Sequence, residues 1–374
     1  MHLRVARNFL YTAVNRTQGT ISDRSLAHIG LKALDTGVLT LAASDHVIAV
    51  FSQMHTEVLK AGEVFVPGRL FSDVVRELPD GLVELELSKT QLMIRAGKNN
   101  EFLMKLPVIE DGVWKEPVAI KTVNTASLPA SKLSYMIDQV QFCVALDSAR
   151  NYGAVGYLHK PQGERLRLVG SDGYRLSFCD LNLELPAGFL QDGICISKRA
   201  LTELQRMCQE GFENIELSIS EDLTTLRAAV SDFELFLRLS AVKYPNYVGV
   251  LPTANLHPVN VSRPHLQNVA KRVLLASDKS RALQMCFSES ELTLSSRTAG
   301  SSEGRESVPL EGYKGQQKDL SVNGKFLVEL FSVIASEDLT LQFKGQEDPI
   351  VIIPKEEPTN CRSMHVLVPI REQQ

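Results

Sequence analysis

The stretch SDGYRL at residues 171–176 puts an acid, a phenol and a guanidinium side by side. An Asp beside a Tyr can move protons, an Asp-Gly turn can hold an anion, and the same residues can simply make a turn. Acid–base chemistry on a substrate also needs a nucleophile, a metal or an oxyanion donor. No Walker loop, GxSxG elbow, HExxH, EF-hand loop or GxGxxG occurs in the chain. The eight histidines are dispersed, with no His pair at i, i+4. The six cysteines (Cys143, Cys179, Cys195, Cys208, Cys286, Cys361) form no Cys-x-x-Cys pair, so reduced thiols, a cytoplasmic location, no metal and no cofactor are expected. Glu84 and Glu86 alternate along one strand, which reads as a solvated sheet face. The chain is therefore expected not to be an enzyme. A small-molecule enzyme built around Asp172, and a scaffold that binds only proteins, are the alternatives.

The elements that position SDGYRL are repeated. With 374 residues the chain exceeds one ordinary core, and 44% hydrophobic with 22% charged residues is an ordinary globular balance. No run reaches the roughly 18–20 apolar residues of a membrane span, and the first residues lack a signal peptide's pattern. Three copies of one pattern recur about every 125–130 residues. Each opens with a helix (RNFLYTAVNRT, SKLSYMIDQVQF, RPHLQNVAKRVLL) and has a second (VPGRLFSDVVREL, SKRALTELQRMC, NGKFLVELFSVI). Apolar residues at i, i+3, i+4 give each helix one buried face. Ser131, Ser197, Ser262 and Asn323 are expected caps, and Pro67 and Pro264 suit a first turn. Period-two runs follow each second helix: Val83, Leu85 and Leu87; Ile215, Leu217 and Ile219; Leu339, Leu341 and Phe343. These predict antiparallel hairpins with one buried face. The fold class is thus α+β, each repeat packing two helices on antiparallel sheets. The expected domains are 1–122, 126–252 and 256–374.

The repeat bears on SDGYRL. Ser44-Asp45 stands between two strands in the first copy where Ser171-Asp172 stands in the second, so both pairs are expected to cap turns. Tyr174, Arg175 and Leu176 have no such echo, because the first copy reads His46-Val47-Ile48 there. Charge is also unevenly placed. The net charge is −4, yet the helices and their loops sum to about +7 and the rest to about −11. Arg4, Arg7, Arg16 and Arg24 supply the first copy's share, and Arg263, Lys271, Arg272, Lys279 and Arg281 the third's. A shared basic helix surface would bind a phosphate backbone without reading sequence.

Four strings in order along the whole chain carry a resemblance: VPGRLFSDVVRELPDG (66–81), SDGYRL (171–176), YPNYVGVLP (244–252) and VLVPIR (366–371). On these the sequence resembles the bacterial β sliding clamps, the processivity subunits of replicative DNA polymerase. The resemblance implies the DNA-clamp fold in a head-to-tail dimeric ring, with twelve helices lining a hole around duplex DNA. The implied partners are double-stranded DNA, the polymerase, an ATP-driven clamp loader, and repair and replication proteins carrying short Gln/Leu/Phe-containing peptides. DNA-facing roles fall on Arg24, Arg150, Lys198, Arg199, Lys271 and Arg272. A peptide pocket falls on Ala154, Ser171, Gly173, Tyr174, Arg175, Leu176, Pro245, Gly249, Val250, Val366, Val368, Pro369, Ile370 and Arg371.

Some positions depart from the family. Ala154 stands where Leu is common, Gly249 where Arg is common, and Tyr174 where His is usual, while Glu372-Gln373-Gln374 extends the end. The departures imply a pocket that is roomier, less basic or differently selective, which leaves its peptide preference open. For the ring joint, RAGKNNEFLMK (95–105) reads as a basic edge strand and SSEGRES (301–307) as its acidic counterpart. Arg95, Lys98 or Lys105 is expected to meet Glu303 or Glu306 across the dimer.

Overall fold

In the computed structural model, residues 1–21, 27–114, 121–146, 150–161, 165–251, 257–310, 313, 317–345 and 348–370 are described. Seven helices occur among them: α1 (Arg7–Arg16), α2 (Gln18–Ile21), α3 (Gly68–Glu77), α4 (Ala130–Gln141), α5 (Lys198–Cys208), α6 (Arg263–Val273) and α7 (Gly324–Val333). None is long and apolar enough to cross a membrane.

The chain forms two compact units, one of Met1–Ala130, Pro186–Phe189 and Arg206–Leu239, the other of Ser131–Leu185, Leu190–Gln205 and Ser240–Gln374. They cut across the three-repeat division, because each unit holds one large sheet made from strands of two repeats. In the first unit an eight-stranded sheet joins the repeats where Phe233–Arg238 pairs antiparallel with Ile48–His55. Its other sheet has five strands, and Phe102–Pro107 is an edge strand bonded only to Gln91–Ala96. In the second unit Arg175–Asn182 pairs with Cys361–Leu367 to join an eight-stranded sheet. Its four-stranded sheet ends in the edge strand Ser302–Pro309. Every pairing is antiparallel, as period-two patterning requires.

The expected inward residues are inward. Val83, Leu85, Ile215, Leu217, Leu339, Leu341 and Phe343 are fully buried, as is Phe71 on α3. Leu87 is only half-buried, at the end of its strand. The caps divide. Asn323 accepts from Lys325 N–H and Phe326 N–H, and the Ser197 hydroxyl accepts from Ala200 N–H at 3.3 Å. Ser262 occupies the N-cap of α6 but makes no side-chain cap bond, and Pro264 takes over the first turn. Ser131 lies one residue inside α4, so it caps nothing.

Candidate functional site

SDGYRL is a turn whose acid is fully committed to the chain. The Asp172 Oδ1 accepts from Tyr174 N–H and Arg175 N–H, each at 3.0 Å, and its Oδ2 accepts from Arg175 Nε at 2.9 Å. Asp45 does the same in the first repeat, accepting from Val47 N–H at 2.7 Å and Ile48 N–H at 2.8 Å. Gly173 supplies the left-handed φ of +88° that the turn demands.

The three following letters separate. Arg175 is a buried hub: it also donates to Glu329 at 2.7 Å and to the Phe142 carbonyl at 2.8 Å, with its guanidinium over the Phe326 ring. The Phe142 carbonyl belongs to the end of α4, where a cation meets the negative end of the helix dipole. Arg175 thus holds the turn in place. Leu176 is buried and pairs with buried Val366. Tyr174 alone projects, 61% exposed, while its carbonyl accepts from Val368 N–H at 2.9 Å.

Around Tyr174 lies a small apolar cluster distinct from the main cores: Val169, Leu176, Phe178, Tyr247, Val351 and Val366. Exposed Tyr174, Val248, Val250 and Val368 are large apolar groups left in water beside it. Pro245 and Gly249 are exposed, Ala154 and Ile370 half-buried, and Ser171 and Pro369 buried. A side chain at Gly249 would meet nothing within 4 Å. Arg371 lies outside the described residues. Sequence reasoning missed the support of this surface. Tyr157 stacks on Tyr244 at 4.9 Å and on His159 at 4.5 Å, and Tyr247 bonds His159 at 2.9 Å through its hydroxyl. Arg167 also reaches that hydroxyl, while it pairs with Asp180. The signal was the Tyr-x-His alternation in VGYLH beside YPNY, three aromatics and a histidine with one facing side. Burial beside Arg167 pushes His159 down to about 4, so it holds this network as a neutral ring.

The cations fare unevenly. Lys198 donates to the Val144 carbonyl at 2.6 Å, and burial lowers its pKa. Arg150 lies with its guanidinium 5.6 Å from the Tyr174 ring centre. Arg199 is half-buried, Lys271 is exposed, and Arg272 makes a two-pronged ion pair with Glu306, 2.9 Å at its Nε. Arg24 lies outside the described residues. Of the four arginines that gave the first repeat its basic share, three are engaged within the fold, which corrects the charge map. Arg4 is paired with Glu84, Arg7 donates to the Arg76 carbonyl, and Arg16 is buried between Glu210 at 2.8 Å and Asp232 at 3.0 Å. A count of formal charge cannot separate a solvated cation from one neutralised across sheets distant in sequence.

The two edge strands fit their expected chemistry in part. Lys98 and Lys105 are exposed, but Arg95 stands on the inner strand Gln91–Ala96, bonded to Glu86 at 2.7 Å. Glu303 is exposed, whereas Glu306 is taken by Arg272. Apolar groups at these edges were not foreseen: Leu103 is 53% exposed on Phe102–Pro107, and Leu275, just past α6, is 86% exposed. No group of His, Cys, Asp and Glu able to hold a metal occurs among the described residues.

The chain matches the DNA polymerase III beta subunit N-terminal domain over residues 1–111, the central domain over 127–246 and the C-terminal domain over 249–371. It is 26% identical to the beta sliding clamp of Pseudomonas aeruginosa, covering 99% of this chain and 100% of the relative, and 24% identical to that of Escherichia coli K12 over the same shares. Among solved structures it is similar to a Pseudomonas aeruginosa sliding clamp, with a TM-score of 0.88 at 24% identity over 99% of both chains. A Bartonella birtlesii sliding clamp bound to griselimycin gives 0.91 at 23% identity, over 99% of this chain and 100% of the other.

Proposed function

Because the chain belongs to the DNA polymerase III beta subunit family, the bacterial sliding clamps, we propose that it encircles duplex DNA and tethers the replicative polymerase to it. It is a non-catalytic processivity factor. Asp172 fits that reading, since both its oxygens serve the turn.

The observation that carries the ring is the pattern of sheet edges. Two repeat boundaries are sealed by continuous antiparallel sheet, and among the strands that end the sheets, Phe102–Pro107 in one unit and Ser302–Pro309 in the other carry exposed Lys105 and exposed Glu303, charges of opposite sign. Exposed edges invite pairing with another chain. Joining those edges between two copies makes the third seal, and a heterologous contact that closes gives a ring. Lys98 and Lys105 against Glu303 set the register, and Leu103 and Leu275 supply apolar burial. Domains 1–122, 126–252 and 256–374 are the units that repeat around this ring.

DNA is held by topology, so its contacts need only be basic and indifferent to sequence. Lys271 and Arg199 are the foremost DNA-facing candidates, joined by Arg24 and by Arg272 when its pair with Glu306 opens. Partners, including the clamp loader and repair proteins, dock short peptides on the surface around Tyr174, Val248, Val250 and Val368. Two apolar anchors buried there contribute roughly 1.5–3 kcal/mol each. The griselimycin-bound relative supports a ligand site in the family. The place of action is the cytoplasm.

Primer extension on a long single-stranded template tests the proposal. With its own polymerase, loader and ATP, the protein is expected to lengthen products per binding event more than tenfold. Product lengths unchanged by its addition would reject it.

A further inference from the structure

We propose that the Arg272–Glu306 ion pair is a latch between two surfaces: a phosphate that takes Arg272 releases Glu306 to the joint with a second copy. The inference rests on the ring reading and adds to it a link that couples DNA contact to ring closure.

The latch sits where a helix meets an edge strand. Arg272 stands in the last turn of α6, beside exposed Lys271. Glu306 stands on Ser302–Pro309, the strand that ends the four-stranded sheet. Side chains alternate along a strand. Glu303 and Arg305 are exposed on one face, whereas Gly304, Glu306 and buried Val308 take the other. Gly304 lets that second face approach the end of α6. A Cβ built on it would lie 3.2 Å from the Val273 carbonyl oxygen and 3.3 Å from the Ala276 Cβ. Glu306, next on the same face, therefore meets Arg272, accepting from Nε at 2.9 Å and from Nη2 as well. One ion pair thus spans the proposed DNA-facing helix and the proposed joint.

Each member serves one partner at a time. A guanidinium whose fork is filled by a carboxylate has spent the donors that suit a phosphate. A carboxylate held in that fork likewise offers less to a lysine of a second copy. In the separate chain the two groups satisfy each other. In a ring closed on DNA, the phosphate backbone takes Arg272, and Lys98 of the second copy takes Glu306. Lys98 is exposed in the turn that leads into Phe102–Pro107, so it is not confined to one sheet face. A ring without DNA, or one copy on DNA without its fellow, leaves a released group lacking its outside partner. Contact and closure therefore favour each other, and by linkage each strengthens the other by the same factor. Both side chains reach solvent, so the pair opens at small cost, and the effect is bounded at about fivefold per joint.

The test measures dimer dissociation of the full-length protein by analytical ultracentrifugation at low salt, with and without a short blunt duplex. Wild type is expected to dimerise about tenfold more tightly with the duplex, since a ring has two joints. Arg272→Gln, whose Glu306 is already released, is expected to dimerise several-fold more tightly than wild type without DNA and to gain less from it. Glu306→Gln is expected to match wild type without DNA and to lose much of the gain. An Arg272→Gln dimer no tighter than wild type without DNA would overturn the latch. So would an equal gain in all three proteins, which marks simple bridging of two copies by the duplex. Both of those results leave the ring standing, whereas a wild-type chain that stays monomeric throughout would overturn the ring itself.

Discussion

Asp45 and Asp172 each close a strand-to-strand turn by accepting two backbone N–H groups at the same offsets. Removing such an acceptor leaves donors unsatisfied, at about 1–3 kcal/mol. Asp172→Ala is expected to lower stability by that amount in urea denaturation and to weaken peptide binding by freeing the Tyr174 rim. Arg16 is a second such position. Arg16→Leu removes three hydrogen bonds, to Glu210, Ser52 and Asp232, while the two carboxylates keep access to water, a loss of about 1–3 kcal/mol. A midpoint unchanged by that substitution would contradict the buried pairing. Acid acts through two histidines. Burial holds His365 down to about 3 and His159 down to about 4, below the ordinary 6.5. Their unfolded forms therefore bind protons first, so stability is complete above pH 6.5 and falls as pH drops toward the folded values. His365 alone removes about 2 kcal/mol between pH 6.5 and 5. His365→Leu is expected to flatten that slope in urea melts across the range.

At the scale of elements, the sequence was most informative where one periodicity ruled. The alternation in GLVELELS and NIELSIS named the buried strand faces, and Asn323 named a cap, because these depend on neighbours within a few positions. Arg175 was illegible: its partners, Glu329 and the Phe142 carbonyl, come from α7 and the end of α4, far away in sequence. Arg95 was placed on an edge because the charge run looked continuous, yet Gly97 and Asn99, both at positive φ, turn the chain between an inner strand and the edge strand. Of the proposed pocket, the sequence names Tyr174, Val250 and Val368, whereas the Tyr157–Tyr244 stack depends on strand register. The edges give their own prediction. Leu103→Asp puts a charge on the proposed joint, and analytical ultracentrifugation is expected to show dimer affinity lowered at least tenfold. An unaltered dimer would move the joint elsewhere.

For the whole molecule, three repeats, two boundaries sealed by sheet and two edge strands of opposite charge are the features on which the proposed closure with a second copy rests. Its net charge of −4 is compatible with DNA because a ring needs no strong attraction to stay on. Loose basic contacts suffice, and several of the expected cations are in fact engaged within the fold. The most direct test of encirclement is to load the protein onto a nicked circular duplex with its loader and ATP, remove free protein, and then cut the circle with a restriction enzyme. The account predicts stable retention on the circle and rapid loss after linearisation, with blocked ends preventing the loss. Equal retention on circular and linear DNA would contradict it.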